Sequence, residues 1–272
     1  MNWLGVFAVV LGFLGYFIGL WCARKIRARI PAFLVVCVAV VLAVPAIVYD
    51  IYYARVLGEP IWLYRMRTVP GSELLASFSG LLAGWVQGRM VPHWSLSSLG
   101  KRYLVPIILG FVIALPHLKL LFRPLRSGTL RERWKGEACL QSTPSTCGPA
   151  AAATIVRGLG GGLLERELAL ESFTCSSGTE NWYLARTLRR YGFQTDFVLS
   201  DPSKVVLPAI AGVRLRSLGN SGHFIALLER RGDRLVLADP MEGISTNTLA
   251  DLEGPYEFTG FFLLIRATDS KH

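Results

Sequence analysis

Cys147, His223 and Asp239 are the residues of this 272-residue sequence whose types and order suit nucleophilic chemistry. Cys147 follows a loop, 142–146, in which Pro144 enforces an extended turn. Gly148, Pro149 and an alanine-rich run to about Gly158 come next. Proline is favoured in a first helical turn, where its missing N–H had no partner anyway, so Cys147 is expected at a helix N-terminus. Free N–H groups and aligned peptide dipoles there favour negative charge and lower a thiol pKa. On this segment alone, a small buried residue that merely starts a helix fits equally well. His223 opens one apolar run and Asp239 closes the next, with Arg231, Gly232 and Asp233 between them, a strong hairpin signal. The outer ends of an antiparallel hairpin are neighbours, so imidazole and carboxylate come within hydrogen-bond reach. The carboxylate would then fix the tautomer and stabilise the imidazolium. Taken singly, Asp239–Pro240 reads as a turn initiator and His223 as a strand-end residue. Taken with a cysteine at a helix start, they make a nucleophile, a base and the group that orients the base.

The elements that must position these residues lie in a domain spanning 137–267, preceded by a basic connector, 123–136. Leu164, Leu168 and Ala169 share one face of a helix over 163–172. Thr179 is expected to cap a helix over 180–191, closed by Gly192. Strands are expected over 194–199, 209–215, the two hairpin arms and 258–265. Helices first and antiparallel strands after them indicate an α+β domain. Gly160–Gly162 read as a turn between helices; no Lys-Ser/Thr follows to make a phosphate loop, so no nucleotide is expected. The five cysteines include no CxxC pair and no Cys/His spacing of a zinc site, so no metal or other cofactor is expected. A Cys139–Cys175 pairing would leave Cys147 as the odd, reactive thiol.

The first 122 residues differ in kind. Mean hydropathy is +0.41 for the whole chain, and its long apolar runs are concentrated here. Spans 3–21, 31–49 and 103–121 are long enough to cross about 30 Å of hydrocarbon. A fourth segment, 72–88, is short and moderately apolar: a span packed through Gly80 and Gly84, or a re-entrant piece. Three spans put the domain opposite the N-terminus; four put it on the same side. Arg24, Lys25, Arg27 and Arg29, with Lys119, Arg123, Arg126, Arg131, Arg133 and Lys135, favour three spans and a cytoplasmic domain. Arg89, Lys101 and Arg102 favour four. The formal charge of +10 therefore reads as membrane flanking, and the partner is a lipid bilayer, with no nucleic acid expected. His93 and His117 read as interfacial or helix-packing residues, and Cys22 and Cys37 as small membrane residues.

Gln141, Cys147–Gly148 with the helix after them, the GHF at Gly222–Phe224, the ADP at Ala238–Pro240 and the closing FTGFFLLI resemble the bacteriocin-processing peptidases, which cleave double-glycine leaders and are papain-like cysteine peptidases. The resemblance covers the domain and none of the membrane region. It implies a papain-like fold, amide hydrolysis of a peptide or protein substrate, and an oxyanion-hole role for Gln141. The chain departs from the family in having Thr146 before the nucleophile, where many members have an acid. Many members are N-terminal domains of ATP-driven peptide exporters, whereas this sequence contains no P-loop and its apolar spans precede the peptidase region. Taken with the apolar spans, the resemblance gives the expectation of an integral membrane cysteine peptidase, in the bacterial inner membrane. Its alternatives are a catalytically silent peptide-binding module and another acyl-transfer enzyme of the same fold.

Overall fold

The structure, a computed structural model, describes residues 3–54, 60–125 and 127–268. The chain forms two compact units: 1–58 with 70–122, and 59–69 with 123–272.

In the first unit, α1 (Trp3–Lys25), α2 (Arg29–Tyr53), α4 (Ser79–Arg89) and α5 (Ser98–Phe122) are helical, and a 3₁₀ segment, Ser72–Phe78, leads into α4. Among the described residues, Leu4–Lys25 and Arg29–Tyr53 are long and apolar enough to cross a membrane. The expected span 103–121 lies within α5, whose side chains from 115 onward, His117 included, lie outside the described residues. His93 is exposed in a short 3₁₀ turn, Val91–His93. α1 and α4 pack through small residues. A methyl group at Gly80 would collide with the carbonyl of Gly12, and one at Gly84 with that of Tyr16. Such close backbone approach is how helices associate where no hydrophobic drive exists between them. Tyr49 at the end of α2 donates to the Ser72 carbonyl at 2.8 Å.

The second unit holds a six-stranded antiparallel sheet. Its strands are β3 (Phe193–Leu199), β4 (Ala209–Leu215), β5 (Ser221–Arg231), β6 (Arg234–Asp239), β7 (Gly243–Thr248) and β8 (Tyr256–Ala267), in the order β3-β8-β4-β5-β6-β7. The helices are α3 (Ile61–Arg67), α6 (Cys147–Gly158), α7 (Glu165–Glu171), α8 (Asn181–Arg190) and the single turn α9 (Leu249–Leu252). A small hairpin, β1 (Arg133–Lys135) with β2 (Ala138–Leu140), occupies part of the basic connector. α6 is buried without a break from Cys147 to Val156. A helix enclosed on all sides needs small side chains, which accounts for its alanines. The expected strands and hairpin are present. β5 and β6 join through Gly232–Asp233, with Gly232 in the left-handed region at φ +63°.

One local expectation fails, and one pairing the sequence left open is answered. Thr179 does not cap α8: its hydroxyl pairs with that of Thr174 at 2.7 Å, and Glu180 holds the N-cap position. Cys139 and Cys175 are not paired; both thiols are free. The β2 backbone at Cys139 is tied to α6 through Thr154 Oγ1, whereas Cys175 forms isolated bridges to Pro124 and Gly178 and faces Ser177 Oγ at 3.0 Å.

Candidate active site

Cys147 is the first residue of α6, where proline within the first turn had put it. The preceding loop is held from beneath by Glu165, which is fully buried. It accepts the Ser142 N–H at 2.7 Å and the Ser142 hydroxyl at 2.6 Å. Inside the loop, the Thr146 hydroxyl donates to the Thr143 carbonyl at 2.9 Å and accepts the Thr143 N–H at 3.0 Å. The thiol therefore belongs to a helix start whose approach is fixed by partly buried hydrogen bonds.

The hairpin supplies the other two groups. Ala226 faces Ala238, so Asp239 falls across from Ile225, two residues from His223 on the same face. Diagonal neighbours of this kind are within reach of long side chains. His223 Nε2 and Asp239 Oδ1 are 2.9 Å apart, and both residues are buried, at 5 % and 3 % exposure. With Nε2 given to the carboxylate, Nδ1 is the nitrogen left to serve Cys147, which lines the same cleft. Burial pushes the imidazole toward neutrality. Its hydrogen bonds to Asp239 and Cys147, and the charge of both, outweigh that and lift its pKa to about 9.

Asp239 is itself over-determined. Oδ1 also accepts the Met241 N–H at 2.7 Å, and Oδ2 accepts the Tyr256 hydroxyl at 2.6 Å. Burial raises this carboxyl, but the hydrogen bonds from His223 and Tyr256, the imidazolium charge and the Met241 N–H together hold it below the usual carboxylate range. Tyr256 pays back in kind: burial and then the Asp239 bond and charge push its phenol up, so it stays a donor. Tyr256 opens β8 opposite Leu215, far from the motifs in sequence, and sequence reasoning missed it. The available signal was general: a buried tyrosine needs a partner for its hydroxyl.

Cys147 and His223 line one open cleft of about 350 Å³, with Gly212, Gly222, Phe224 and Thr259 from the sheet and residues 176–179 opposite. Gln141 is not part of that lining. Its N–H donates to the Pro240 carbonyl at 2.8 Å, which ties it to the Asp239 turn, and its Oε1 is buried with no hydrogen-bond partner among the described residues. The structure thus brings Cys147, His223 and Asp239 together and sets Gln141 beside them.

Residues 135–270, half of the chain, match the peptidase C39 family. The chain belongs to that family. An uncharacterised protein of Methanothermobacter marburgensis is 35 % identical over 103 residues, 38 % of this chain and 70 % of that protein. Two solved structures are similar at lower identity. The peptidase domain of Streptococcus ComA, a bi-functional ABC transporter of a quorum-sensing pathway, is 18 % identical, covers 47 % of this chain and 96 % of its own, and has a TM-score of 0.41. A double-glycine-motif protease from an AMS/PCAT transporter, solved with its leader peptide, is 19 % identical, covers 54 % and 99 %, and has a TM-score of 0.42. In this chain the C39 region is a papain-like domain of mixed helix and sheet, the fold of a cysteine peptidase.

Proposed function

We propose that this C39 protein is an integral membrane cysteine peptidase that hydrolyses peptide bonds through Cys147, His223 and Asp239. The observation that carries the reading is the buried 2.9 Å His223–Asp239 pair on the wall that also bears the Cys147 thiol. His223 takes the thiol proton, or already holds it with the thiolate as an ion pair, and the thiolate sulfur attacks the carbonyl carbon of the scissile bond. The Cys147 backbone N–H and the Gln141 side-chain amide donate to the developing oxyanion. His223 returns its proton to the leaving amine, and water, deprotonated by the same imidazole, releases the acyl group from sulfur. Asp239, held by Tyr256 and Met241, keeps the imidazole oriented and stabilises its charge. Glycines at 212 and 222 leave the cleft wall open to an extended backbone, which suits a peptide with small or glycine residues at the cut, such as a leader. The two apolar helices anchor the chain in the bilayer, so membrane-associated peptides are its natural substrates.

The test is a comparison of the full chain with Cys147→Ala in detergent or vesicles, against a glycine-rich leader-peptide library read by mass. Cleavage by the parent alone, with each pair of products heavier than the substrate by one water, is the expected result. Equal cleavage by both proteins would remove Cys147 from the mechanism. Products carrying an added amine in place of water would make the enzyme an acyl transferase.

A further inference from the structure

α3 comes from between apolar helices of the first unit, yet it belongs to the second. Its Tyr64 is 2 % exposed, with ring centroids 5.2 Å from Phe261, 5.4 Å from Phe197 and 5.6 Å from Trp182. Arg65 makes a forked pair to Asp196, with both contacts at 3.0 Å, and also donates to the Phe197 carbonyl. From α8, Arg186 donates to the carbonyls of Arg67, Thr68 and Val69, and Arg189 to the Thr68 hydroxyl. An aromatic ring in the core and two arginines gripping the helix exit make α3 a structural element of the peptidase domain.

That has a topological consequence, which rests on the membrane-anchored reading above. A segment packed in the core of the peptidase domain lies on that domain's side of a bilayer. From Tyr53 at the end of α2 to Pro60, an extended chain reaches at most about 25 Å, short of the roughly 30 Å hydrocarbon core. So α2 opens on the peptidase side. The 3₁₀ segment starts at Ser72, three residues after Val69, and therefore enters from that side too. Seven 3₁₀ residues at about 2.0 Å and eleven α-helical residues at about 1.5 Å make roughly 30 Å, a full crossing. The glycine packing gives the direction independently: Gly12 meets Gly80, Tyr16 meets Gly84 and Ala23 meets Gly88, so α1 and α4 run parallel.

We infer that the chain crosses the membrane four times, with its N-terminus, α3 and the peptidase domain on one face, and that α3 is a second tether holding that domain. The basic clusters at Arg24–Arg29 and at Arg89, Lys101 and Arg102 then share the opposite face. The three-span reading is replaced, and with it the charge count that had favoured a cytoplasmic domain.

Epitope tags at the N-terminus, within 26–28, within 94–97 and at the C-terminus, each in the full chain, read the arrangement by protease protection in sealed membranes. The two terminal tags are expected to share one protection state and the two inner tags the other. Terminal tags on opposite faces, in a chain that resists carbonate extraction, overturn this inference alone. Carbonate extraction of the uncut chain overturns the anchoring itself. A second measurement inserts a specific protease site at Gly128. After cutting, the C-terminal fragment is expected to stay on washed membranes with the parent sequence and to be released, still folded by melting, with Tyr64→Ala and Arg186→Ala together. Release of the parent fragment would show that α3 is no tether.

Discussion

Asp239→Asn isolates the charge that sets the state of His223. The imidazole is lifted from an ordinary 6.5 to about 9, against its burial. At ~1.36 kcal/mol per unit, that is roughly 3 kcal/mol in favour of the imidazolium. Asparagine keeps the shape and an acceptor oxygen but removes the charge, while the burial that opposes protonation stays. With the carboxylate gone, only the Cys147 contribution still supports the charge against burial, so the imidazole is expected to titrate clearly below about 9 and its protonated fraction near neutral pH to drop. The chain has four histidines, so ¹³C-histidine labelling in detergent gives a readable NMR titration of His223, assigned with His223→Gln. Cys147 stays in place in both proteins, because its side chain also acts on the imidazole. The stability sign follows from the same shift. A raised imidazole pKa adds stability that is complete below its ordinary value and lost as pH rises through about 9, so the parent melting temperature falls there and that of Asp239→Asn does not. If His223 titrates at the same pH in both proteins, Asp239 is not what holds the proton, and the assignment of its role fails.

Three other perturbations follow from the same geometry. Tyr256→Phe deletes the 2.6 Å bond to a buried carboxylate, and melting is expected to show a loss of about 1.5–3 kcal/mol. In kinetics, kcat should fall with KM little changed, since Tyr256 acts through Asp239. Glu165→Gln leaves one of the two Ser142 donors facing an amide NH2 that cannot accept, and the other a neutral oxygen, at a cost of about 1–3 kcal/mol. Limited proteolysis should then cut within 141–146 sooner. Burial, with Glu165 and Glu132 nearby, pushes the Cys139 thiol up to about 12, so iodoacetamide at pH 8 should modify Cys147 and spare Cys139 in peptide mapping.

The site was legible in sequence to the extent that local rules decide it. Proline in a first turn places Cys147, and a Gly-Asp turn between apolar runs brings His223 and Asp239 to neighbouring ends. The parts that were not legible are contacts between distant segments. Tyr256 and Glu165 carry no local motif, and their roles come from what sheet pairing and helix packing put beside them. The Thr179 cap failed for a nearer reason: Thr174, five residues before it, took its hydroxyl. α3 has seven residues, too few for an amphipathic period to stand out, and only its neighbours reveal it.

By itself the sequence determined the two-part character of the chain, the α+β class of the C-terminal domain and which cysteine, histidine and aspartate are the candidates for nucleophile, base and orienting acid. These depend on composition, on periodicity and on chain neighbours. Tertiary structure alone decided that Asp239 is locked by Tyr256, that Cys139 and Cys175 stay apart, and that 61–69 belongs to the peptidase domain. Each depends on which groups meet across the fold, and burial makes those meetings decisive, because a hydroxyl, guanidinium or carboxylate taken from water must find its partner where the fold puts one.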